Sequence, residues 1–377
     1  MIYLDYSATT PVNYDVLDSY LRSTKDFFGN PNSLHSLGVK SKALVNSALK
    51  QISDIFNILE SEITFTSSAT EANNLALIGT LLANMKRGNH LIVSKLEHPS
   101  IYVICDYLVS IGFEVSYVEN TNDGLIDFDD LKRKVRPETI LVSIACVNSE
   151  LGLRQPLKMI RQIIKKENPQ TFLHSDITQA LGKIPVNLHD VDLASASAHK
   201  IYGPKGIGLF YKNSRVKVSP LIYGSGKGNE LKPGTLPVPL IVSFAKAIRL
   251  CVTDLDKREN FVKRLNEKII NEIKGYEGIL INQTKYSIPH ILNISFKNVK
   301  AETFIHAMEE YDIYLGTNTA CASGDLSTSV MAVYQDKKRA LSTIRISLSH
   351  LTTTDEINKF ISTFHVVYNR LNTLTST

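Results

Sequence analysis

The chain has 377 residues, 43% hydrophobic and 21% charged, with a formal net charge of +5. That length predicts two domains and that mixture an ordinary globular protein. No apolar run is long enough to span a bilayer, no basic block offers a stable nucleic-acid face, and Met1-Ile2-Tyr3-Leu4-Asp5-Tyr6 lacks the basic flank and apolar centre of a signal peptide, so the sequence reads as cytoplasmic with no membrane partner.

In chain order, Glu62-Ile63-Thr64-Phe65-Thr66 reads as a strand, followed by a helix through Leu75, Ile78, Leu81 and Leu82. His90 to Ser94 reads as a strand, Ile101 to Ile111 as a helix, Phe113 to Val118 as a strand and Asp127 to Val135 as a short helix. A buried strand spans Thr139 to Val147, and a helix spans Leu157 to Lys166. Thr171 to His174, Leu193 to Ala196 and Ile207 to Tyr211 complete a strand-rich middle. Strands alternating with helices predict an α/β fold whose mostly parallel central sheet carries helices on both faces. Pro233, Pro237 and Pro239 interrupt the pattern; one long helix from Leu240 to about Ile273 then leads into a smaller α+β unit. That unit has strands at Ile291 to Phe296 and Ile344 to Leu348, a helix at Ala301 to Tyr311, and a last helix from Thr354.

The chemistry-bearing residues sit where these strands end, as ligands of parallel sheets do. Ser67-Ser68-Ala69-Thr70-Glu71 joins a strand to a helix, a ready anion site that is equally a plain N-cap. His98, Asn148, Asp176, Gln179, His199 and Lys200 also follow strand ends. Lys200 lies between the small residues of Ser195-Ala196-Ser197-Ala198 and a Gly203-Pro204 turn. Small neighbours leave room for a planar group beside the amine, and a desolvated lysine readily bonds a carbonyl. Gly224-Ser225-Gly226-Lys227-Gly228-Asn229 is not a dinucleotide fingerprint, so any phosphate belongs to a smaller cofactor. A phosphate pocket, a lone acid and a Schiff-base lysine together point to pyridoxal phosphate. Cys105, Cys146 and Cys251 sit in apolar surroundings and read as core, whereas Cys321 lies in the small, polar stretch Gly316 to Asp325 and reads as an exposed, reactive thiol. His174 with Asp176 is too small a set for a metal.

The ordered motifs Leu4-Asp5-Tyr6-Ser7-Ala8-Thr9-Thr10-Pro11, Phe28-Gly29-Asn30-Pro31-Asn32-Ser33, Ala69-Thr70-Glu71-Ala72-Asn73-Asn74, Glu97-His98, Asn148-Ser149-Glu150-Leu151-Gly152, Asp176-Ile177-Thr178-Gln179, His199-Lys200-Ile201-Tyr202-Gly203-Pro204 and Ala320-Cys321 run through nearly the whole chain. In these the sequence resembles the cysteine desulfurases of the NifS/IscS type, within the class V aminotransferase group. The resemblance implies a fold-type I pyridoxal-phosphate enzyme with a large domain at 13–250 and a small domain of 1–12 with 251–377. It implies Lys200 as the Schiff-base lysine, Asp176 on the ring nitrogen and His98 stacked on the ring as a proton relay. Gln179 and Asn148 would bond the ring hydroxyl, Asn148 also bordering the substrate. Ala69, Thr70, Ser197 and His199 would hold the phosphate, helped by Thr235 from the partner of a homodimer. Arg345 would clamp the carboxylate of L-cysteine, and Cys321 would take its sulfur as a persulfide for an acceptor protein in iron–sulfur assembly or tRNA thiolation.

Three departures from the family pattern stand out. Gly228 and Lys232 stand where an acid and an arginine are usual, with Glu230 nearby; His350 replaces an arginine; and the tail after the last helix is short. A selenocysteine lyase or another class V enzyme, and a catalytically impaired partner subunit, stay open as alternatives.

Overall fold

A computed structural model describes residues 1–225, 230–317 and 326–375. Its twelve described strands are, in chain order, β1 (Ile2–Leu4), β2 (Ile63–Thr66), β3 (His90–Ser94), β4 (Glu114–Val118), β5 (Thr139–Ser143), β6 (Phe172–Asp176), β7 (Leu193–Ser197), β8 (Gly208–Lys212), β9 (Ile279–Ile281), β10 (Ile291–Phe296), β11 (Ile313–Leu315) and β12 (Thr343–Ser347). Seven of them form one sheet in the order β2-β8-β7-β6-β5-β3-β4. Its pairs are parallel except the two made by β8.

Side chains alternate across this sheet, and both faces are buried. Leu91, Val93, Leu141, Leu193 and Phe210 pack on one side. Ile92, Val142, Leu173, Ala194, Leu209 and Tyr211 pack on the other, against helices Ser36–Phe56, Leu157–Glu167 and Val238–Val252. Burial on both faces is why these strands read as near-continuous apolar runs. Each fully buried aliphatic side chain contributes about 1.5–3 kcal/mol.

The parallel strands of the sheet all end at one edge, and the cavity described below opens there. Beyond that edge lie a three-stranded antiparallel sheet, β12-β10-β9, and the parallel pair β1-β11. A separate core of Phe296, Phe304, Phe360, Phe364 and Tyr368 sits under the three-stranded sheet. Isolated bridges from Asp5 to Ser347 and from Gly316 to Arg345 lace β1 and β11 to β12.

Two expectations need correction. The segment from Leu240 to Ile273 is not one helix but two, Val238–Val252 and Leu255–Ile273. The chain breaks at Asp254, whose φ of +54° is left-handed, a conformation Asp tolerates better than most residues. The strand expected over Thr139–Val147 stops at Ser143; beyond it the Ile144 and Cys146 amides still donate to the carbonyls of His174 and Asp176, while Ala145 and Val147 reach the cavity wall. Helices Tyr14–Asp26 and Ser36–Phe56 were not anticipated; Asn13 caps the first by accepting from the amides of Asp15 and Val16. No described helix is long and apolar enough to cross a membrane.

Candidate active site

A cavity of about 270 Å³ opens at the carboxyl ends of β2, β6 and β7. Ala69, Thr70, His98, Asp176, Gln179, Ser197, His199, Lys200 and Arg345 all line it, brought together from five separate stretches of sequence. Two expected residues are not in its wall: Asn148 lies behind it and Thr235 is exposed elsewhere. Cys321 falls outside the described residues.

Asp176 ends β6, buried at 8% exposure. Its Oδ1 accepts the Thr178 amide at 2.9 Å and its Oδ2 accepts Asn73 Nδ2 at 3.0 Å. Asn73 also accepts a hydrogen bond from the Ser195 hydroxyl, which in turn meets His174 Nε2 at 3.1 Å; His174 Nδ1 meets Ser143 Oγ at 2.9 Å. Both His174 nitrogens are thus engaged by hydroxyls, and burial pushes its pKa down to about 4. A neutral, hydrogen-bonded chain therefore backs the one carboxylate that faces the cavity from β6. Glu97 is buried beside it. It accepts the Ala145 amide at 2.6 Å, and burial, with Asp176 adding to it, raises its pKa to about 8, so it keeps its proton at neutral pH.

Lys200 closes the opposite wall. Its Nζ donates to the carbonyls of Ser7 at 2.5 Å and Ala8 at 2.6 Å. Burial, then the nearby Arg345 guanidinium, lowers its pKa to about 8 against the pull of Asp5 and Asp176. Gln179 Nε2 donates to the same Ser7 carbonyl at 2.9 Å, and its Oε1 accepts from Lys183 Nζ at 3.0 Å. Lys183 is fully enclosed, and burial, with the Lys200 charge next, lowers its pKa to about 7. His199 Nδ1 pairs with Thr9 Oγ1 at 3.1 Å, and burial plus the charges of Lys200, Lys205 and Lys183 pushes its pKa down to about 4.

The phosphate-like end is the start of the helical run Ala69–Asn84, which passes through one wide turn at Leu75–Gly79. Ser68 caps it by accepting the Glu71 amide at 3.2 Å. The first amides of a helix have no partner within it, so those of Ala69 and Thr70 are available to an anion. Gly208 lets this loop settle on β8, because a Cβ there would lie 2.6 Å from the Ser68 carbonyl carbon. Lys232 pairs with Glu71 Oε1 at 2.6 Å, so the departing segment reaches this loop.

His98 caps helix Pro99–Ser110 and presents its ring to the cavity. Its Nδ1 accepts the Ser100 amide at 3.1 Å, which fixes the neutral tautomer with the proton on Nε2. Its rim stays exposed, but desolvation by the surrounding cavity wall lowers its pKa, so that neutral form prevails. Arg345, on β12, donates from Nη2 to Asp5 Oδ1 at 2.8 Å and from Nη1 to the Ser149 carbonyl at 3.1 Å. Asn148 is saturated by protein: Nδ2 donates to Leu96 O and Ser329 Oγ, and Oδ1 accepts the amides of Glu150 and Leu151. It builds the turn that carries Ser149 and does not reach the cavity itself.

The residues present fit pyridoxal phosphate. An amine, a carboxylate and a helix start are spaced around one cavity, and three buried wall atoms, Arg345 Nε, Thr178 Oγ1 and Ser7 Oγ, have no protein partner. Sequence reasoning missed Asn73, Ser7 and Lys183. The lysine inside Ala180-Leu181-Gly182-Lys183-Ile184 was the available signal.

Comparison with known proteins gives one consistent result. The family profile "Aminotransferase class-V" matches residues 2–360. The chain is 39% identical to "Cysteine desulfurase IscS" of Buchnera aphidicola subsp. Schizaphis graminum, covering 99% of this chain and 94% of that protein. It is 39% identical to "Cysteine desulfurase, mitosomal" of Encephalitozoon cuniculi, covering 95% and 84%. A solved "NIFS-LIKE PROTEIN" superposes with a TM-score of 0.93 at 33% identity over 98% of this chain and 100% of that one.

Proposed function

The chain belongs to the class V aminotransferase family, and from that premise we propose how its residues divide the work of a pyridoxal-phosphate-dependent cysteine desulfurase. The reaction converts L-cysteine to L-alanine. Pyridoxal phosphate, when bound, supplies an electron sink conjugated to the substrate's α-carbon.

In our reading, Lys200 holds the cofactor covalently and afterwards moves protons at Nζ. A pKa of about 8 leaves that nitrogen able both to accept and to release a proton near neutrality. Asp176 would pair with the ring nitrogen, and Asn73 and the Thr178 amide hold the carboxylate aimed into the cavity. His98 covers the ring and offers its Nε2 proton to the cavity. The second N–H of Gln179 would be free to bond the ring hydroxyl, its amide orientation set by Lys183 on one side and Ser7 on the other. Ala69, Thr70, Ser197 and His199 hold the phosphate. Arg345 receives the substrate carboxylate.

Cys321 then takes the substrate's sulfur: one thiol plus L-cysteine gives one persulfide plus L-alanine, with no external oxidant. Burial pushes the thiols of Cys105, Cys146 and Cys251 up to about 12, so each is protonated and enclosed, which supports the remaining cysteine as the nucleophile. An acceptor protein would relieve it of the sulfur. Exposed Thr235, together with the exposed Tyr14, Phe28, Leu34 and Tyr223, supports a homodimer in which Thr235 serves the partner's phosphate. The core under the three-stranded sheet is distinct from those on the seven-stranded sheet, which supports a large unit at 13–250 and a small unit of 1–12 with 251–377, with Cys251, Ile288 and Ile291 packing onto the larger one.

The observation that carries this reading is a desolvated Lys200 amine sharing one cavity with Asp176 and Arg345. Incubation with L-cysteine and a reductant should release alanine and sulfide in equal amounts. Cys321→Ser should abolish both while the protein stays loaded with cofactor. Turnover that survives this change removes the persulfide step.

A further inference from the structure

The Arg345 guanidinium is buried at 5% exposure and already holds a carboxylate. Asp5, just past β1, places Oδ1 2.8 Å from Nη2, while Nη1 binds the Ser149 carbonyl and Nε is buried without a partner. Asp5 itself keeps 21% side-chain exposure, so it can be released toward solvent. Gly316, bridged to Arg345, leaves space for the pair: a Cβ there would lie 2.4 Å from Asp5 Oδ1 and 3.0 Å from Arg345 Nη2. Both sides of the pair are therefore shaped around a carboxylate on Arg345.

We propose that Asp5 occupies the carboxylate site of Arg345 until substrate arrives, so that substrate binds by exchanging one carboxylate for another. This rests on Arg345 being the clamp of the function proposed above. The physical reason is that a buried guanidinium with no anion is costly, whereas a guanidinium shared by two carboxylates brings like charges together. Asp5 solves the first problem in the empty site and creates the second on binding. Whether Asp5 leaves or stays, it opposes the incoming carboxylate, so the sign of its effect is fixed. The exchange also selects ligands: one without a carboxylate gains nothing from Arg345 and leaves Asp5 in place. Asp5 is thus a specificity-determining residue.

The test uses holoenzyme and L-alanine, which carries the same carboxylate and no sulfur. Asp5→Asn should tighten L-alanine binding in calorimetric titration about tenfold, equivalent to about 1.4 kcal/mol. The same variant should melt at a lower temperature than the parent in buffer and regain the difference in propionate, which fills the emptied site. Asp5→Ser should behave alike, which separates charge from shape and serves if the first variant folds poorly. Unchanged or weaker L-alanine binding in both variants would overturn the proposal and make Asp5 an orienting partner of Arg345. Arg345→Lys tells the two readings apart. If it leaves L-alanine binding intact, the clamp itself is wrong; if it weakens binding while the Asp5 variants do not tighten it, the clamp stands and the exchange falls.

Discussion

Lys200 can add to an aldehyde only as a neutral amine, so the rate at which cofactor-free protein attaches pyridoxal phosphate reports its protonation directly. Burial and the Arg345 charge bring its pKa from the ordinary 10.5 to about 8. At pH 7.4 an amine of pKa about 8 is neutral in about one molecule in five, against roughly one in a thousand for an unperturbed lysine, a gain of roughly 250-fold in reactive amine. The attachment rate, followed by absorbance after mixing, should therefore climb with pH and level off above about 8. Arg345→Met removes the second of the two causes and should move the midpoint upward. Arg345→Lys keeps the charge and should move it less. A midpoint that stays near 10.5 in the parent protein would refute the reasoning, because the amine would then be hydrated and the cavity open to bulk water.

Two further perturbations test the walls around that amine. Asn73→Ala removes the amide bond to Asp176 Oδ2, a hydrogen bond to a charged group worth about 1.5–3 kcal/mol, and should weaken cofactor binding in equilibrium dialysis by about tenfold or more with the far-ultraviolet dichroism unchanged. Lys183 is charged in the unfolded chain up to about 10.5 and in the folded protein only up to about 7, so between those values unfolding takes up a proton and stability rises with pH. Lys183→Met should remove one proton's share of that rise, about 1.4 kcal/mol per pH unit, in denaturant midpoints measured on cofactor-free protein from pH 7 to 10.

How much of this was legible in the sequence depends on how local the cause is. The strands His90–Ser94 and Ile291–Phe296 stand in the structure where their apolar, β-branched runs placed them, because burial on both faces writes itself into consecutive residues. The break at Asp254 left no such mark: the apolar spacing runs from Ile248 and Cys251 on to Val262 and Leu265 as if one helix continued, and the left-handed turn between them is a backbone event. In the site, Lys200, Asp176 and His98 could be nominated because each follows a strand that ends at the same edge. Asn73 and Ser7 could not, since their partners are set by tertiary packing: Asn73 lies 103 residues from Asp176, and Ser7 lies 193 from Lys200. For Asn148 the resemblance implied a contact with the ring hydroxyl; in the structure its oxygen accepts the amides of Glu150 and Leu151 and shapes the turn that carries Ser149, a local role that no spacing announces.

The short segment after β1 is what joins these separate pieces. The Ser7 carbonyl accepts from both Lys200 and Gln179, the Ala8 carbonyl from Lys200, and Thr10 binds the His199 carbonyl through its amide and its hydroxyl. The Ser7 amide donates to Ser347 on β12, two residues from Arg345, and Asp5 pairs with Arg345 itself. Carbonyls suit the amine end because they orient a lysine without supplying the negative charge that would hold it protonated. A carboxylate in their place would raise the pKa of Lys200 and cost it nucleophilicity. Acid is kept to the other end of the segment, where the group to be neutralised is a guanidinium that never loses its proton. The order Asp5, then Ser7 and Ala8, therefore matches the order in which an amino acid must be read across the cavity, carboxylate first and amine next. The side chains at 7 and 8 are small because they line the cavity that the cofactor and substrate must share.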